Sequence, residues 1–170
     1  MAAIAHAFVQ QLTNQTTTSG TYVDVTGVSI PSTDPVWSVG DKHLIYVTAQ
    51  LAHSTNFART GTQMVHGTTA FAESEAIYGN QGALLRNSYG WFTVWTAVSG
   101  EGIKMQFKRH TGTGASTAQV DQITLIVIRL STSLVENTDW IFAERSTDDA
   151  LTTAFADGAS TGAFTPAAGD

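Results

Sequence analysis

Tryptophan has the clearest capacity for ligand binding in this sequence. Trp91 and Trp95 lie four residues apart, so they share one face of an extended strand, with Thr93 between them. Exposed indole rings offer flat apolar surfaces on which a sugar ring can stack. Because Phe92 and Val94 on the other face are also apolar, a core or interface strand is the favoured interpretation, and a glycan is the alternative ligand.

Two further tryptophans lie away from this strand. Trp37 is in a proline-containing loop and Trp140 is near the end of the chain. Large amphipathic rings in such places commonly anchor a segment on a neighbouring surface. We therefore predict that both anchor their segments onto partners.

The histidines and aspartates do not have the spacing of a metal site. His43 and His53 share a strand face but lie ten residues apart, and the sequence has no cysteine. Seven aspartates could offer oxygen ligands to calcium, namely Asp24, Asp34, Asp41, Asp121, Asp148, Asp149 and Asp157, but they lack EF-hand spacing. We expect surface or interface histidines, solvated loop aspartates, no metal and no cofactor.

The acidic pair Glu73 and Glu75 is the nearest approach to a catalytic pattern. Two residues apart on a predicted strand, these carboxylates would share a face, and paired carboxylates can hydrolyse glycosidic bonds. No second signature supports that chemistry. The glycine-rich turn Thr111–Ser116 lacks the lysine of a phosphate-binding loop. We therefore expect no enzyme activity and assign no catalytic residue.

Composition indicates a protein that meets other proteins. Charged residues make up 13% of the 170 residues, about half the usual fraction, while hydrophobic residues reach 42%. A net charge of −6 without a basic stripe argues against nucleic-acid binding. The longest apolar strand is too short for a membrane helix, which needs about 20 residues. The N-terminal segment lacks the pattern of a secretory signal, so we expect synthesis in a cytoplasm.

Short apolar runs broken by Gly, Ser, Thr, Asn and Asp predict an all-β chain. The predicted strands are Ala7–Leu12, Tyr22–Ile30, His43–Ala52, Gln63–Thr68, Ala70–Tyr78, Tyr89–Val98, Ile103–His110 and Ala118–Leu130. Strands of this number and length favour a two-sheet jelly-roll-type β-sandwich over residues 1–131. An immunoglobulin-type sandwich fits less well because its Cys-Trp-Cys pattern is missing.

Residues 132–170 differ in character from the predicted domain. They are acidic and rich in Ala, Thr and Gly, and about 40 residues seldom fold alone without staples. An extended C-terminal arm is the favoured interpretation. The alternative is the start of a second β repeat, because Ala150–Asp170 resembles Thr21–Asp41 in its glycine, aromatic and proline positions.

The last predicted strand is apolar on both faces. Its alternating residues are Ile123, Leu125 and Val127 on one side and Thr124, Ile126 and Ile128 on the other. A strand with one wet face should alternate apolar with polar residues. We predict that these six residues contribute to an oligomer interface, with Ile126 and Ile128 buried by sister subunits or, alternatively, by the C-terminal arm.

Three segments, Thr13–Ile30, Val39–His53 and Gln119–Ser131, give the chain its resemblance to known proteins. They are a strand pair joined by a polar loop, a Gly-Asp entry into a long strand, and a hydrophobic final strand. Over Ala7–Ser131 this pattern resembles jelly-roll virion proteins of tailed bacteriophages, such as capsid decoration (cement) proteins and fibre domains. The outline is also similar to trimeric complement-type and tumour-necrosis-factor-type jelly rolls.

This resemblance implies a homotrimer without catalysis, with contacts made by loops and termini. The expected function is a trimeric decoration protein that binds across subunits of a bacteriophage capsid in the virion. The alternative is a fibre domain that binds a host surface glycan through Trp91 and Trp95 or through the loop Gly79–Ser88.

Overall fold

The computed structural model describes residues 5–79, 83–111 and 116–130, and these form ten β-strands without a helix. The strands are β1 (His6–Gln11), β2 (Gln15–Thr17), β3 (Val23–Ile30), β4 (Lys42–His53), β5 (Arg59–His66), β6 (Thr69–Ala70), β7 (Ala76–Gly79), β8 (Asn87–Thr96), β9 (Ile103–Thr111) and β10 (Ala118–Leu130).

The strands form two antiparallel sheets of five strands each. The front sheet has the order β1-β10-β4-β8, with β2 beside β10, and the back sheet has the order β3-β9-β5-β6, with β7 beside β5. From β7 onward each connection crosses between the sheets, so strands distant in sequence become neighbours. This is the topology of a jelly-roll-type sandwich, which confirms the predicted fold class.

The core lies between the sheets and is built by alternation along the strands. On β4, Ile45, Val47 and Leu51 are fully buried, whereas Tyr46 between them is exposed. Each fully buried aliphatic side chain contributes about 1.5–3 kcal/mol of hydrophobic free energy. The regular spacing fixes the register, because a one-residue slip would expose this whole set.

The back sheet follows the alternation predicted for β9. Ile103, Met105 and Phe107 are buried against the front sheet, and Lys104 and Lys108 point outward. Two buried threonines of β5 keep their hydroxyls bonded to backbone carbonyls: Thr60 Oγ1 donates to Ala52 O over 2.6 Å and Thr62 Oγ1 to Gln106 O over 3.0 Å.

A side chain from β2 hydrogen-bonds to the backbone of the edge strand β3. The Gln15 amide pairs with the backbone of Thr26: Thr26 N donates to Gln15 Oε1 over 2.8 Å, and Gln15 Nε2 donates to Thr26 O over 2.7 Å. Gly27 beside it adopts a φ of 76°, where the ladder to β9 is interrupted. An edge capped in this way is protected from pairing with another chain.

The polar loop predicted at Thr13–Gly20 contains the short strand β2, which sequence patterning did not indicate. The middle of the chain also differs from prediction. The strand predicted from Gln63 begins earlier, at Arg59. The predicted strand Ala70–Tyr78 is two short strands separated by a turn. In that turn Glu73 has a φ of 60°, which a continuous strand cannot accommodate. The predicted arm or repeat, residues 132–170, lies outside the described residues.

Candidate subunit interface

The outward face of the front sheet carries two rows of apolar side chains. Strand register places Phe8, Ile126, Tyr46 and Phe92 side by side across β1, β10, β4 and β8. The adjacent row, two residues along each strand, contains Ile128, Leu44 and Val94, with His6 at its β1 position. We call the seven apolar residues of these two rows the apolar band.

The band is partly exposed on the surface of the subunit. Phe8 and Phe92 are each 56% exposed and Tyr46 is 41% exposed, and the other members are half-buried. The next row across the sheet is polar or small: Gln10, Thr124, Thr48 and Gly90. Isolated apolar residues are common on protein surfaces, but a contiguous row with a polar border marks an interaction site.

Half of the predicted interface on β10 needs correction. Ile123, Leu125 and Val127 are fully buried in the core of their own subunit, because they face the back sheet. They cannot reach a sister subunit. Thr124, Ile126 and Ile128 lie on the outward face and are half-buried, so these three stay in the predicted interface.

The tryptophans of β8 do not form an open platform for a sugar. They share a face, as predicted, but it is the inner one: Trp91 is 9% exposed and its ring centroid lies 5.2 Å from that of Phe71. Trp95 is half-buried, with ring contacts to Trp37 at 5.6 Å and His66 at 5.2 Å. The pair therefore packs in and against the core, as the favoured interpretation of this strand predicted, and it does not offer the open platform that the alternative of a glycan ligand requires. Of the loop Gly79–Ser88, residues 80–82 lie outside the described ranges.

Trp37 fixes the loop between β3 and β4 within its own subunit. Its Nε1 donates to Pro31 O over 2.8 Å, and its ring centroid lies 5.0 Å from that of His43. These contacts order the loop where the front sheet begins, so Trp37 anchors its segment on its own subunit, which corrects the prediction of a partner contact. Trp140 lies outside the described residues.

His43 and His53 are fully buried at opposite ends of β4, which corrects the prediction of surface or interface histidines for these two. The His43 ring nitrogens lie 3.0 Å from Asp41 O and 3.1 Å from Val36 O. Burial lowers the pKa of His43 below its ordinary value, although the two carbonyl contacts oppose this effect. Burial also lowers the pKa of His53, and the charge of Arg109 adds to that effect.

Most acidic residues of the described part are engaged in ion pairs and hydrogen bonds. Asp41 accepts from Arg129, with Nη2 at 2.7 Å and Nε at 2.8 Å, and Asp24 accepts from Lys104 Nζ at 2.7 Å. Asp121 pairs with Arg86 and is only 5% exposed, so it is not the solvated loop aspartate that we expected. Among the described residues no three His, Cys, Asp or Glu side chains converge as metal ligands.

The paired-carboxylate prediction is also wrong in its geometry. Glu73 lies in the turn, and Glu75 lies before β7, so the two do not share a strand face. Glu75 accepts from Tyr22 Oη over 2.7 Å and from Lys108 Nζ over 3.3 Å. The Tyr22 hydrogen bond, followed by the Lys108 interactions, lowers the pKa of Glu75 despite some burial. This carboxylate is a structural acceptor on the back sheet.

In the ranges that the structure covers, no helix is long and apolar enough to cross a membrane. No family model matches the sequence, and no curated protein matches it. The solved structure of Eiger TNF from S. frugiperda is similar in backbone path, with a TM-score of 0.49 and 10% sequence identity. That similarity covers 86% of this chain and 99% of the other.

Proposed function

We propose that this protein is a non-enzymatic structural component of a bacteriophage virion, a homotrimer that decorates the capsid by binding across its subunits. It would be made in the host cytoplasm and assembled onto the particle. The virion location rests on the resemblance of the strand pattern to jelly-roll virion proteins. The self-association rests on the apolar band, which is the observation that carries the proposal.

The band fits a sister subunit better than solvent. Its first row crosses four strands, which at a spacing of about 4.8 Å gives a width of about 15 Å. Phe8, Tyr46 and Phe92 together present a rigid aromatic surface, and aromatic residues are enriched at the centres of protein interfaces. Water contact with this surface is unfavourable by about 25 cal/mol per Å² of apolar area.

A stable interface would extend beyond the band itself. Specific interfaces bury about 800 Å² on each partner, with an apolar centre and a polar rim. The border row of Gln10, Thr124 and Thr48 supplies hydrogen-bonding groups for such a rim. Other residues of the front face would complete the contact area.

Light scattering on the purified full-length chain tests the oligomeric part of this proposal. We expect a mass close to three times 18.0 kDa that persists on dilution into the low micromolar range. A stable monomer would contradict it and would favour coverage of the band by another segment of the same chain.

Mass spectrometry and electron microscopy of purified particles test the location. We expect the chain in the particles, with threefold density on the outside of the capsid. A trimer that is absent from the particles would retain the self-association and overturn the proposed role in the virion.

A further inference from the structure

An apolar tip projects from one end of the sandwich, away from the apolar band. It consists of Phe57, which follows β4, and Leu84 and Leu85, which precede β8. Phe57 is 79% exposed, and both leucines are 57% exposed. No described contact of the core uses these side chains.

The backbone at this tip is held in an unfavourable conformation. Phe57 has a φ of 59° and Leu84 a φ of 62°, in the left-handed region where a residue with a side chain costs about 1–2 kcal/mol. Bulky residues are genuine outliers there, and such strain concentrates at functional sites. Glycine would fit both positions without strain, so the large side chains require a reason other than the turn itself.

Hydrogen bonds tie the two halves of the tip together. Leu84 N donates to His53 O over 2.8 Å, and Ala83 N donates to the side-chain oxygen of Asn56. The residues that flank Phe57 and Leu84 are therefore linked directly. The side chains are presented on a braced platform, which lowers the entropy cost of docking them into a shaped site.

The position of the tip separates it from the other surfaces of the molecule. Strand directions place the beginning of β1 and the end of β10 at one end of the front sheet, since His6 pairs with Ile128 and Lys42 with Leu130. The tip lies at the opposite end, beyond His53. Exposed Arg59 adds a cation to this end of a chain whose net charge is −6.

We infer that Phe57, Leu84 and Leu85 form a docking tip that inserts into an apolar pocket with an acidic rim on a second protein. This rests on the proposed function, in which that protein is the capsid shell. An exposed, braced set of apolar side chains fits an apolar pocket on a partner, and Arg59 favours carboxylates around it. A fluid lipid surface would not require the strained, fixed geometry.

The test is rebinding of the full-length trimer to particles assembled without this chain, measured by co-sedimentation. The tip variant carries Phe57→Ser, Leu84→Ser and Leu85→Ser, and the matched control carries Val39→Ser and Val98→Ser. Those valines are 64% and 50% exposed near the end where β4 begins. We expect at least a tenfold loss of affinity for the tip variant, a smaller loss for Arg59→Glu, and unchanged binding for the control.

The outcomes separate the docking tip from the proposed function. If the wild-type protein rebinds and the tip variant rebinds equally well, the docking tip is overturned and the capsid role is retained. Wild-type protein that trimerises but does not rebind overturns the capsid role and, with it, this partner. Flotation with phosphatidylcholine–phosphatidylglycerol vesicles that depends on Phe57 would assign the tip to membranes and overturn the protein pocket.

A stability measurement tests the strain without any partner. Phe57→Gly and Leu84→Gly should each raise the thermal midpoint of the purified protein while they weaken particle rebinding. If the thermal midpoint falls in both variants, the left-handed backbone at the tip does not destabilise the fold, and this part of the inference is contradicted.

Discussion

The two sheets of this sandwich present opposite chemistry on their outward faces. The front sheet exposes the aromatic and aliphatic side chains of the apolar band, with Tyr46 and Phe92 near its centre. The back sheet exposes a hydrogen-bonded polar lattice, in which Asp24 accepts from Lys104 and from Gln106 Nε2 over 2.7 Å. Gln63 extends that lattice by donating to Gln106 Oε1 over 2.8 Å.

An outward-facing position is therefore not always polar in this protein. The front sheet carries apolar side chains at positions where the back sheet carries polar ones. Both sheets have an apolar inner face, as any sandwich must, but only the back sheet has the polar outer face of a sheet in contact with water. On the back sheet, Lys108 Nζ also lies 4.0 Å from the centre of the Tyr22 ring, so this cation too has a partner within the chain. The central outward residues of the front sheet in the described part of the chain are mostly apolar, which supports the proposed self-association.

The largest expected effect is the difference in stability between a substitution on the inner face of β10 and one on its outer face. Leu125→Ala should lower the free energy of unfolding by about 2–5 kcal/mol, because it leaves a cavity in the core. Ile126→Ala, one residue along, should cost a single subunit less than about 1 kcal/mol. Urea denaturation at a dilution where both variants are monomeric measures the difference. Equal losses would contradict the assignment of Ile126 to an outward face.

Acidification should lower the free energy of unfolding, because two buried histidines lie on the inner face of β4. Because burial lowers the pKa of His43 and His53 in the folded chain, the unfolded chain binds more protons below about pH 6.5. Their contribution to stability is complete above that pH and is lost as the pH falls below it. Denaturation midpoints between pH 7.5 and 5 should decrease, and NMR titration should give pKa values for both rings below those of free histidine.

A midpoint that stays constant or rises over this range would show that the two carbonyl contacts of His43 outweigh its desolvation. The variant His53→Gln should reduce the slope of stability against pH, since it removes one of the two groups.

The smallest expected effect belongs to the outward face of the back sheet. Lys104→Met should lower stability by at most about 1 kcal/mol, because the Lys104–Asp24 pair is substantially exposed. Burial alone would raise the pKa of Asp24, but hydrogen bonds from Lys104 and Gln106 lower it below its ordinary value. The variant should therefore raise that pKa, and 1 M salt should reduce the difference in stability. A loss of several kcal/mol would mean that this face is covered by another subunit.

Much of the fold was accessible from strand patterning, because long strands with regular alternation define their own faces. The span Ala118–Leu130 matches β10 as predicted, and the alternation of Ile103, Met105 and Phe107 matches β9. The short strand β2 was missed because it is defined by its pairing with Ala118–Val120 of β10, which is a contact between segments distant in sequence.

The differences between prediction and structure in the candidate site have separate causes. Both faces of β8 are apolar, so the sequence could not determine whether Trp91 or Phe92 points inward. The pairing of Trp91 with Val47 and of Phe92 with Tyr46 determines it. For His43 the sequence did indicate burial, because it lies on the same face of the strand as the inner residues of β4. Its polar side chain nevertheless favoured a surface assignment.

The most direct test of the account compares the same charge on the two outward faces. Ile126→Lys places an ammonium group in the apolar band, and Gln63→Lys places one in the polar lattice of the back sheet. Sedimentation equilibrium should give a monomer near 18.0 kDa for Ile126→Lys and a trimer for Gln63→Lys, with both variants folded by circular dichroism. A trimer for Ile126→Lys together with a monomer for Gln63→Lys would assign the interface to the back sheet and contradict the account.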